Sequence, residues 1–253
     1  VCAAGKAVLA RVAPDLHIDE QLVGGAAIDA LGAPLPQPTL DALGGADAVL
    51  LGAVGGPQWG HLTGAQKPEA GLLTLRKHLG VYANLRPIKA LPGLSGLGPI
   101  KPETCDGADM LFVRELTGGL YFGDKGRNGD TAYDHCTYTA DEIRRVVRLA
   151  ARQAQQRRGK LTLVDKANVL ETSRLWREVT QAVMAAEFPQ IDVEILLVDA
   201  AAMHLLTRPR DFDVIVTENL FGDILTDEAG VLAGALGVIP SASLGDGACG
   251  LYE

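Results

Sequence analysis

The chain has 253 residues, of which 47% are hydrophobic, and a formal net charge of −8. This length supports one large or two small domains with a sizeable core, and the hydrophobic content excludes a disordered chain. The negative charge argues against a nucleic-acid partner, and no apolar run predicts a membrane span. Four scattered cysteines without C-x-x-C spacing are expected to be free thiols in a reducing cytoplasm: Cys2, Cys105, Cys136 and Cys249.

The first third of the chain alternates helical patterns with short apolar runs. It opens in a helical pattern without an N-cap, and a Pro-rich loop leads to a helix predicted to begin near Thr39. Residues 46–52 form an apolar run that predicts a buried strand. This run ends in Gly55-Gly56-Pro57. A glycine pair at the carboxyl end of a parallel strand lets a ligand approach the backbone, although an ordinary tight turn fits the same residues.

Three arginines and a tyrosine in the next part of the chain indicate a possible anion site. A helical pattern starting at Gly71 contains Arg76, a strand pattern contains Arg86, and an apolar run ends directly at Arg114. A guanidinium fork binds a carboxylate at two points, although a lone arginine is more often a surface residue. Tyr121 follows Arg114 by seven residues, among glycines. That arrangement favours a site, because buried phenolic and charged groups need partners.

The second half of the chain continues the alternation of strands and helices, which predicts a largely parallel sheet. Residues 124–138 are polar and are expected to form either a mobile arm or a hairpin arm. Thr139, followed by acidic residues, predicts the N-terminus of a helix. A strand at 161–164 leads into Lys166. A lysine between apolar flanks at the end of a strand is either a partly desolvated site residue or, equally, an ion-pair partner of Asp165.

The most informative stretch is residues 212–228. An apolar run at 212–217 predicts a buried strand, and a helical pattern follows Gly222. Asp223 and Asp227 are spaced i, i+4, so a helix places both carboxylates on one face, one turn apart. Hard oxygen ligands suit Mg²⁺ or Mn²⁺, but two unrelated acids on a solvated helix face have the same spacing.

Several motifs in order resemble the β-decarboxylating dehydrogenase family, which contains the isopropylmalate and isocitrate dehydrogenases. The matching stretches cover essentially the whole chain: Val23–Asp29, Gly55–Pro57, Asn84–Pro87, Val113–Gly123, Val164–Leu170, Asn219–Asp227 and Pro240–Leu244. The resemblance implies an α/β, two-domain isocitrate/isopropylmalate dehydrogenase-like fold.

The implied domains are discontinuous in sequence. Residues 1–81 and 234–253 would form the cofactor-side domain, and residues 82–233 would form the domain that binds metal and substrate and dimerises. The family's opening strand and its adenosine-gripping region have no counterpart here. The first domain is therefore expected to be incomplete and the sequence truncated at both ends.

The resemblance also implies roles for individual residues. The arginines that hold the malate carboxylates correspond to Arg76, Arg86 and Arg114. The groups that move protons correspond to Tyr121 and Lys166. The metal carboxylates correspond to Asp199, Asp223 and Asp227, and the further substrate contacts to Asp223 and Asn168. The loop that faces the nicotinamide of NAD includes Gly56, Pro57 and Glu69. The family's homodimer implies that Lys166 and Asp199 act across the subunit interface.

The implied pocket for the substrate side chain is apolar. Leu72 and Leu73, with Val169 from the other subunit, offer no hydrogen bond to a third carboxylate, so isocitrate would leave a charge unpaired. This favours NAD- and metal-dependent oxidative decarboxylation of 3-isopropylmalate to 2-oxoisocaproate, a step of leucine biosynthesis. Related D-malate, tartrate or homoisocitrate dehydrogenases are alternatives. A further alternative is that the chain as it stands is an inactive, non-catalytic dimerisation module.

Overall fold

A computed structural model describes residues 2–90, 93, 98–234 and 239–253. The helices and strands in chain order are α1 (Cys2–Val12), α2 (Gly25–Leu31), α3 (Gln37–Leu43), β1 (Ala48–Leu50), α4 (Pro68–His78), β2 (Val81–Lys89), α5 (Pro102–Cys105), β3 (Asp109–Glu115), β4 (Lys125–Asn128), β5 (Thr131–Asp134), α6 (Ala140–Gln155), β6 (Lys160–Asp165), α7 (Glu171–Glu187), β7 (Asp192–Leu197), α8 (Val198–Thr207), β8 (Val214–Thr217), α9 (Asn219–Gly230), β9 (Ala242–Gly245) and β10 (Gly250–Tyr252). The predicted alternation of strands and helices is confirmed.

The chain divides into two compact units. The first contains residues 1–81 and 242–253, and the second contains residues 82–241. The sequence-based division has the chain return to the first unit at residue 234, whereas in the structure the chain returns to the first unit after Ser241. Residues 235–238, which lie in this interval, are outside the described part of the chain.

In the first unit, strands β1, β10 and β9 lie side by side in that order. β1 pairs with β10 in parallel, and β10 pairs with β9 antiparallel. The prediction of a buried strand at 46–52 is wrong in both length and burial, because β1 has three residues and exposes Ala48 and Leu50. Among the described residues β1 is an edge strand, so a neighbouring strand covers it on one side only.

Two helices of the first unit begin earlier than the sequence pattern predicted. α3 begins at Gln37 instead of Thr39, and α4 begins at Pro68 instead of Gly71. Each helix has a proline in its first two positions. The fixed φ of proline suits the first helical turn, and the N–H that proline lacks would have no intrahelical partner there.

The second unit is built on a five-stranded sheet in the order β2-β3-β8-β6-β7. β2 is antiparallel to β3, and the other neighbouring pairs are parallel. Side chains of β3 alternate between faces. Met110 and Phe112 join a buried cluster with Leu205 of α8 and Leu225 of α9. On the opposite face, α6 and α7 pack against each other and against the strands.

The predicted helix start at Thr139 is confirmed as a capping box. The Thr139 hydroxyl accepts the Glu142 N–H at 3.3 Å, and the Glu142 carboxylate accepts the Thr139 N–H at 2.8 Å. The predicted hairpin arm is also confirmed, since β4 and β5 pair antiparallel within residues 125–134. No helix in the described part of the chain is both long and apolar enough to cross a membrane.

Candidate active site

Four parallel strands of the second unit have their carboxyl ends on the same side of the sheet, which we call its carboxyl edge. A charged side chain lies at or just after the end of each strand. These are Arg114 on β3, Lys166 after β6, Asp199 in the first turn of α8 after β7, and Glu218 after β8. β2 runs in the opposite direction, so its register places Asn84 beside Arg114. Ligands of open α/β sheets bind at this edge, outside the carboxyl ends of the strands.

Helix α9 carries two of the three candidate metal carboxylates. It begins at Asn219, whereas the sequence pattern predicted a helix only after Gly222, because the Glu218 carboxylate caps it by accepting the Phe221 N–H at 2.7 Å. The predicted spacing of Asp223 and Asp227 on one helical face is confirmed. A Cβ at Gly222 would lie 2.6 Å from the Arg114 side chain, so this turn of α9 approaches β3 as only glycine permits.

Asp223 is held by two of the predicted site residues. Its Oδ1 pairs with the Arg114 guanidinium, and its Oδ2 accepts a hydrogen bond from the Tyr121 hydroxyl at 2.5 Å. Arg114 is nearly buried, and its Nε donates to the Asn219 side-chain oxygen at 2.9 Å. Burial raises the pKa of Tyr121 above its usual value, and the neighbouring Asp223 carboxylate raises it further.

Arg86 holds the second carboxylate of α9. Its Nη1 donates to Thr226 at 2.9 Å and lies 3.5 Å from Asp227, while its Nε donates to Asn84 at 3.0 Å. We call the four charged side chains on this face of the second unit the Arg–Asp cluster: Arg86, Arg114, Asp223 and Asp227. It contains two positive and two negative charges.

Lys166 and Asp199 form a separate pair, with 2.7 Å between Nζ and Oδ1. The Lys166 ammonium lowers the pKa of Asp199. The alternative prediction, that Lys166 pairs with Asp165, is wrong because Asp165 binds Arg177 through two hydrogen bonds of 2.8 and 2.9 Å. In the described residues, no group of three or more His, Cys, Asp or Glu side chains is arranged so that it could hold a metal ion. Within one chain, Asp199 therefore does not join Asp223 and Asp227.

The remaining predicted substrate residues lie outside both groups. Asn168 and Val169 follow Lys166 and are exposed, Val169 by 62%. In the first unit, α4 carries Leu72 and Leu73, both half-buried, and Arg76, which lies 3.8 Å from the Glu253 carboxylate.

The predicted cofactor loop surrounds a small pocket in the first unit. The pocket holds about 130 Å³ and is lined by Gly56, Trp59, Gly60, Lys67, Pro68 and Glu69. Pro57 opens the short turn between Gly56 and Trp59. Pockets that enclose a drug-sized ligand hold roughly 300–1,000 Å³, so this one would accommodate only part of a dinucleotide.

Sequence reasoning gave no role to several side chains that hold the site together. Asn219 and Thr226 accept hydrogen bonds from Arg114 and Arg86, and Glu218 caps α9. Asn219 lay within a recognised motif, so its position was a signal. Glu218 carried none, because glutamate is not among the preferred N-cap residues.

The fold and this site define an α/β enzyme with two carboxylates and two arginines at the carboxyl edge of its sheet. The family model for isocitrate/isopropylmalate dehydrogenases matches residues 1–253, and the chain belongs to that family. The predicted family and fold class are confirmed. An isocitrate dehydrogenase from Methylococcus capsulatus has a similar structure, with a TM-score of 0.86 and 34% identity over 100% of this chain and 72% of that one. A β-decarboxylating dehydrogenase from Thermococcus kodakarensis gives a TM-score of 0.77 and 34% identity, over 99% of this chain and 69% of that one.

Curated relatives with greater identity carry a more specific name. The 3-isopropylmalate dehydrogenase of Rhodopirellula baltica is 57% identical over 91% of this chain and 66% of its own length. Those of Moorella thermoacetica and Deinococcus radiodurans are 56% and 52% identical, and the match covers 70% and 73% of their lengths. These names confirm the resemblance to the isopropylmalate enzymes. The chain spans about two thirds of the length of the relatives.

Proposed function

We propose that the protein catalyses the NAD-dependent oxidative decarboxylation of 3-isopropylmalate to 2-oxoisocaproate, in leucine biosynthesis and in the cytoplasm. The observation that carries the proposal is the Arg–Asp cluster, in which Arg114 and Tyr121 converge on Asp223 while Arg86 approaches Asp227. The names of the curated relatives support isopropylmalate as the substrate.

The charges of the cluster suit a divalent cation together with a dicarboxylate. Each aspartate now has an arginine as its counter-ion. A divalent cation would satisfy the two aspartates, and the two arginines would then turn to the carboxylates of the substrate. The cation alone would leave the two arginines without counter-ions, and the dicarboxylate alone would leave the two aspartates without counter-ions. Two neighbouring like charges are costly at partly buried positions. We therefore expect the metal and the substrate to strengthen each other's binding.

The donor set fits Mg²⁺ or Mn²⁺ with one addition. Asp223 and Asp227 supply hard oxygen ligands from adjacent turns of α9. The third proposed ligand, Asp199, lies in a different group of the same chain. In the proposed homodimer, Asp199 and Lys166 of one subunit would complete the site of the other.

The reaction assigns separate tasks to the residues of the chain. When bound, NAD⁺ would supply the hydride acceptor, and a metal ion held by Asp223, Asp227 and Asp199 would supply positive charge where negative charge develops. Lys166, directly or through water, would remove the C2 hydroxyl proton. After CO₂ is lost, Tyr121 would protonate the carbon that carried it. Arg86 and Arg114 would hold the carboxylates in place throughout.

Residues of the first unit take the roles that the family resemblance implies. Arg76 would bind a substrate carboxylate, and Leu72 and Leu73 would contact the isopropyl group. The loop around Gly56, Pro57 and Glu69 would bind the nicotinamide part of NAD. Asn168 and Val169 would contact the substrate.

The test of the reaction is NADH formation at 340 nm with 3-isopropylmalate, NAD⁺ and Mg²⁺, using isocitrate and D-malate as matched substrates. We expect activity with 3-isopropylmalate alone. A preference for D-malate or isocitrate would show that the roles of Leu72 and Leu73 are wrong. Calorimetric titration of 3-isopropylmalate with and without Mg²⁺ tests the cluster separately, and equal affinity in the two titrations would contradict the charge argument.

Mixed dimers test whether Lys166 acts across an interface. Lys166→Ala and Asp223→Asn proteins are expected to be inactive when assayed separately. If the two residues of a site come from different subunits, refolding an equal mixture restores about a quarter of the wild-type activity, because half of the dimers carry one intact site. If both residues act in one subunit, the mixture stays inactive.

A further inference from the structure

Tyr138 lies between the two segments that bring Tyr121 and Asp223 together. It is 6% exposed, and its ring forms a T-shaped pair with the ring of Trp176, with 5.5 Å between centroids. Gly118 and Gly119, which precede Tyr121 in the chain, lie against it. A Cβ at Gly118 would come within 2.5 Å of the Tyr138 ring, and one at Gly119 within 2.3 Å of its hydroxyl oxygen.

The Tyr138 hydroxyl also fixes the start of α9. It donates to the Glu218 carboxylate at 3.0 Å and accepts the Asn219 N–H at 3.0 Å. The other Glu218 oxygen accepts the Phe221 N–H, so this buried carboxylate is bonded on both sides. The hydroxyl thus uses both its donor and an acceptor position on the first turn of the helix that carries Asp223.

The segment before Tyr121 is held from its other side by Glu115. This buried carboxylate accepts the N–H groups of Thr117 and Gly118 at 2.7 and 2.9 Å. Gly118 is therefore fixed between Glu115 and the Tyr138 ring. The hydrogen bond between Tyr121 and Asp223 connects two segments that meet at Tyr138.

We propose that Tyr138 is a positioning residue, whose ring seats the glycine segment before Tyr121 and whose hydroxyl fixes the first turn of α9, so that Tyr121 and Asp223 meet. Its effect on catalysis rests on the proposed function, whereas its effect on the geometry does not. Tyr138 itself contacts neither Tyr121 nor Asp223 in the hydrogen bonds described.

Tyr138→Phe removes the hydroxyl and keeps the ring. Without the hydroxyl, the Asn219 N–H and one Glu218 oxygen lose a buried hydrogen-bond partner. We therefore expect kcat with 3-isopropylmalate to fall about tenfold. The solvent deuterium isotope effect on kcat should increase, because proton transfer from a misplaced Tyr121 becomes slower than the hydride step. Loss of correctly folded enzyme would lower the rate without changing that isotope effect. Tyr133→Phe, at a half-exposed position in the hairpin, is the matched control.

A second measurement does not need activity. The chain contains five tyrosines, so labelling with ¹³Cζ-tyrosine gives five NMR signals, and Tyr121→Phe identifies the one from Tyr121. At a fixed pH of about 7, the Tyr121 signal should shift in Tyr138→Phe and stay in place in Tyr133→Phe. If Tyr138→Phe does not fold, Glu218→Gln replaces it. That change removes one of the two carboxylate oxygens that accept hydrogen bonds from the Tyr138 hydroxyl and the Phe221 N–H.

The outcomes separate the positioning role from the reaction. A shifted Tyr121 signal together with a larger isotope effect supports the proposal. If the Tyr121 signal shifts in Tyr138→Phe but the wild-type protein is inactive on every hydroxy acid, the positioning role is supported and the proposed function is overturned. An unchanged Tyr121 signal, or a lower kcat with an unchanged isotope effect, overturns the positioning role.

Discussion

Asp223 receives one contact from Arg114, 109 residues earlier in the chain, and one from Tyr121, 102 residues earlier. The two contacts occupy different carboxylate oxygens, so the side chain is held in one orientation. Arg114 is fixed in turn by Asn219, in the first turn of the same helix. The position of Asp223 therefore depends on Arg114 and Tyr121, and the position of Arg114 depends on Asn219.

Arg114→Lys tests whether the guanidinium fork is needed, beyond its charge. Lysine cannot donate to Asn219 and Asp223 at the same time in the fork geometry, so we expect kcat/KM to fall about 100-fold, or about 2.8 kcal/mol. The control is Arg144→Lys, because Arg144 forms a surface ion pair with Asp141 on α6. Arg114→Lys activity within threefold of the wild type would contradict the expectation. The measurement is initial-rate kinetics with 3-isopropylmalate.

Gly222→Ala tests the close approach of α9 to β3. The new Cβ would meet the Arg114 side chain at 2.6 Å, so Arg114 must move, and kcat/KM should fall at least about tenfold. Alanine is also the better helix former by about 1 kcal/mol, so the loss of stability should be partly offset. Gly45→Ala serves as the control, because no atom of the described residues lies within 4 Å of a Cβ at that position. Unchanged kinetics in Gly222→Ala would show that Arg114 can shift without cost.

Asp109 provides a test of pH-dependent stability. The hydrogen bond from Arg157 lowers the pKa of Asp109, and Lys89 lowers it further despite partial burial. A lowered carboxyl pKa stabilises the folded protein above the unfolded value of about 3.9, and this stabilisation is lost as the pH falls through the folded pKa. Asp109→Asn should therefore have a lower Tm than the wild type at pH 7. The difference should shrink below about pH 4.

Thermal unfolding measured from pH 7 down to about pH 2.5 checks this expectation. The control is Asp130→Asn, in the exposed turn of the hairpin. A Tm difference for Asp109→Asn that stays constant over the whole range would show that the Asp109 ion pair does not contribute as a charged pair.

Among the elements, α6 shows how local sequence sets a helix boundary that the tertiary structure then uses. Its capping box fixes the start at Thr139, directly after Tyr138. The apolar stripe of the helix, which includes Val146, Val147 and Ala150, is fully buried against the sheet. A helix whose start is fixed by its own side chains therefore places the adjacent Tyr138 at a defined point in the core.

Thr139→Ala should lower the free energy of unfolding by about 1 kcal/mol, because the Glu142 N–H loses its side-chain acceptor. The corresponding fall in Tm is about 2–4 °C for a protein of this size. Thr139→Ser retains the acceptor and should keep most of the stability. Denaturant titration of the two variants checks the prediction, and equal losses in both would show that the methyl group of Thr139, and not the cap, is responsible.

On the scale of the whole molecule, the two units differ in how deeply their elements are buried. α1, in the first unit, contains no buried residue, and Val8 and Val12 are exposed by 60% and 71%. β8, in the second unit, is buried at all four positions and pairs with strands on both sides. Local opening requires less free energy where few apolar contacts are lost.

Amide hydrogen exchange of the 253-residue chain should show this difference directly. We expect the amides of α1 to exchange with the lowest protection among the helices named here, and those of β8 to exchange only on global unfolding. Mass spectrometry of peptides covering the two elements makes the measurement. Protection of α1 equal to that of β8 would contradict the prediction and would indicate that α1 is covered in solution.

Much of the fold was predictable because its signals are local. The apolar runs that became β3, β6 and β8, the capping box at Thr139, and the i, i+4 spacing of Asp223 and Asp227 depend on neighbours a few residues apart. Boundaries were less accurate where a proline or an unusual cap extended a helix, as in α4 and α9. The roles of the individual site residues remain predictions.

The sequence by itself determined the family, the order of strands and helices, and which side chains would be available to a site. Only the tertiary structure decided how they pair. Asp165 binds Arg177 and leaves Lys166 to Asp199, and Tyr138 joins the two segments that bring Tyr121 to Asp223. The physical reason is that periodicity and capping act over a few residues, whereas these pairs are set by strand register and packing between distant segments.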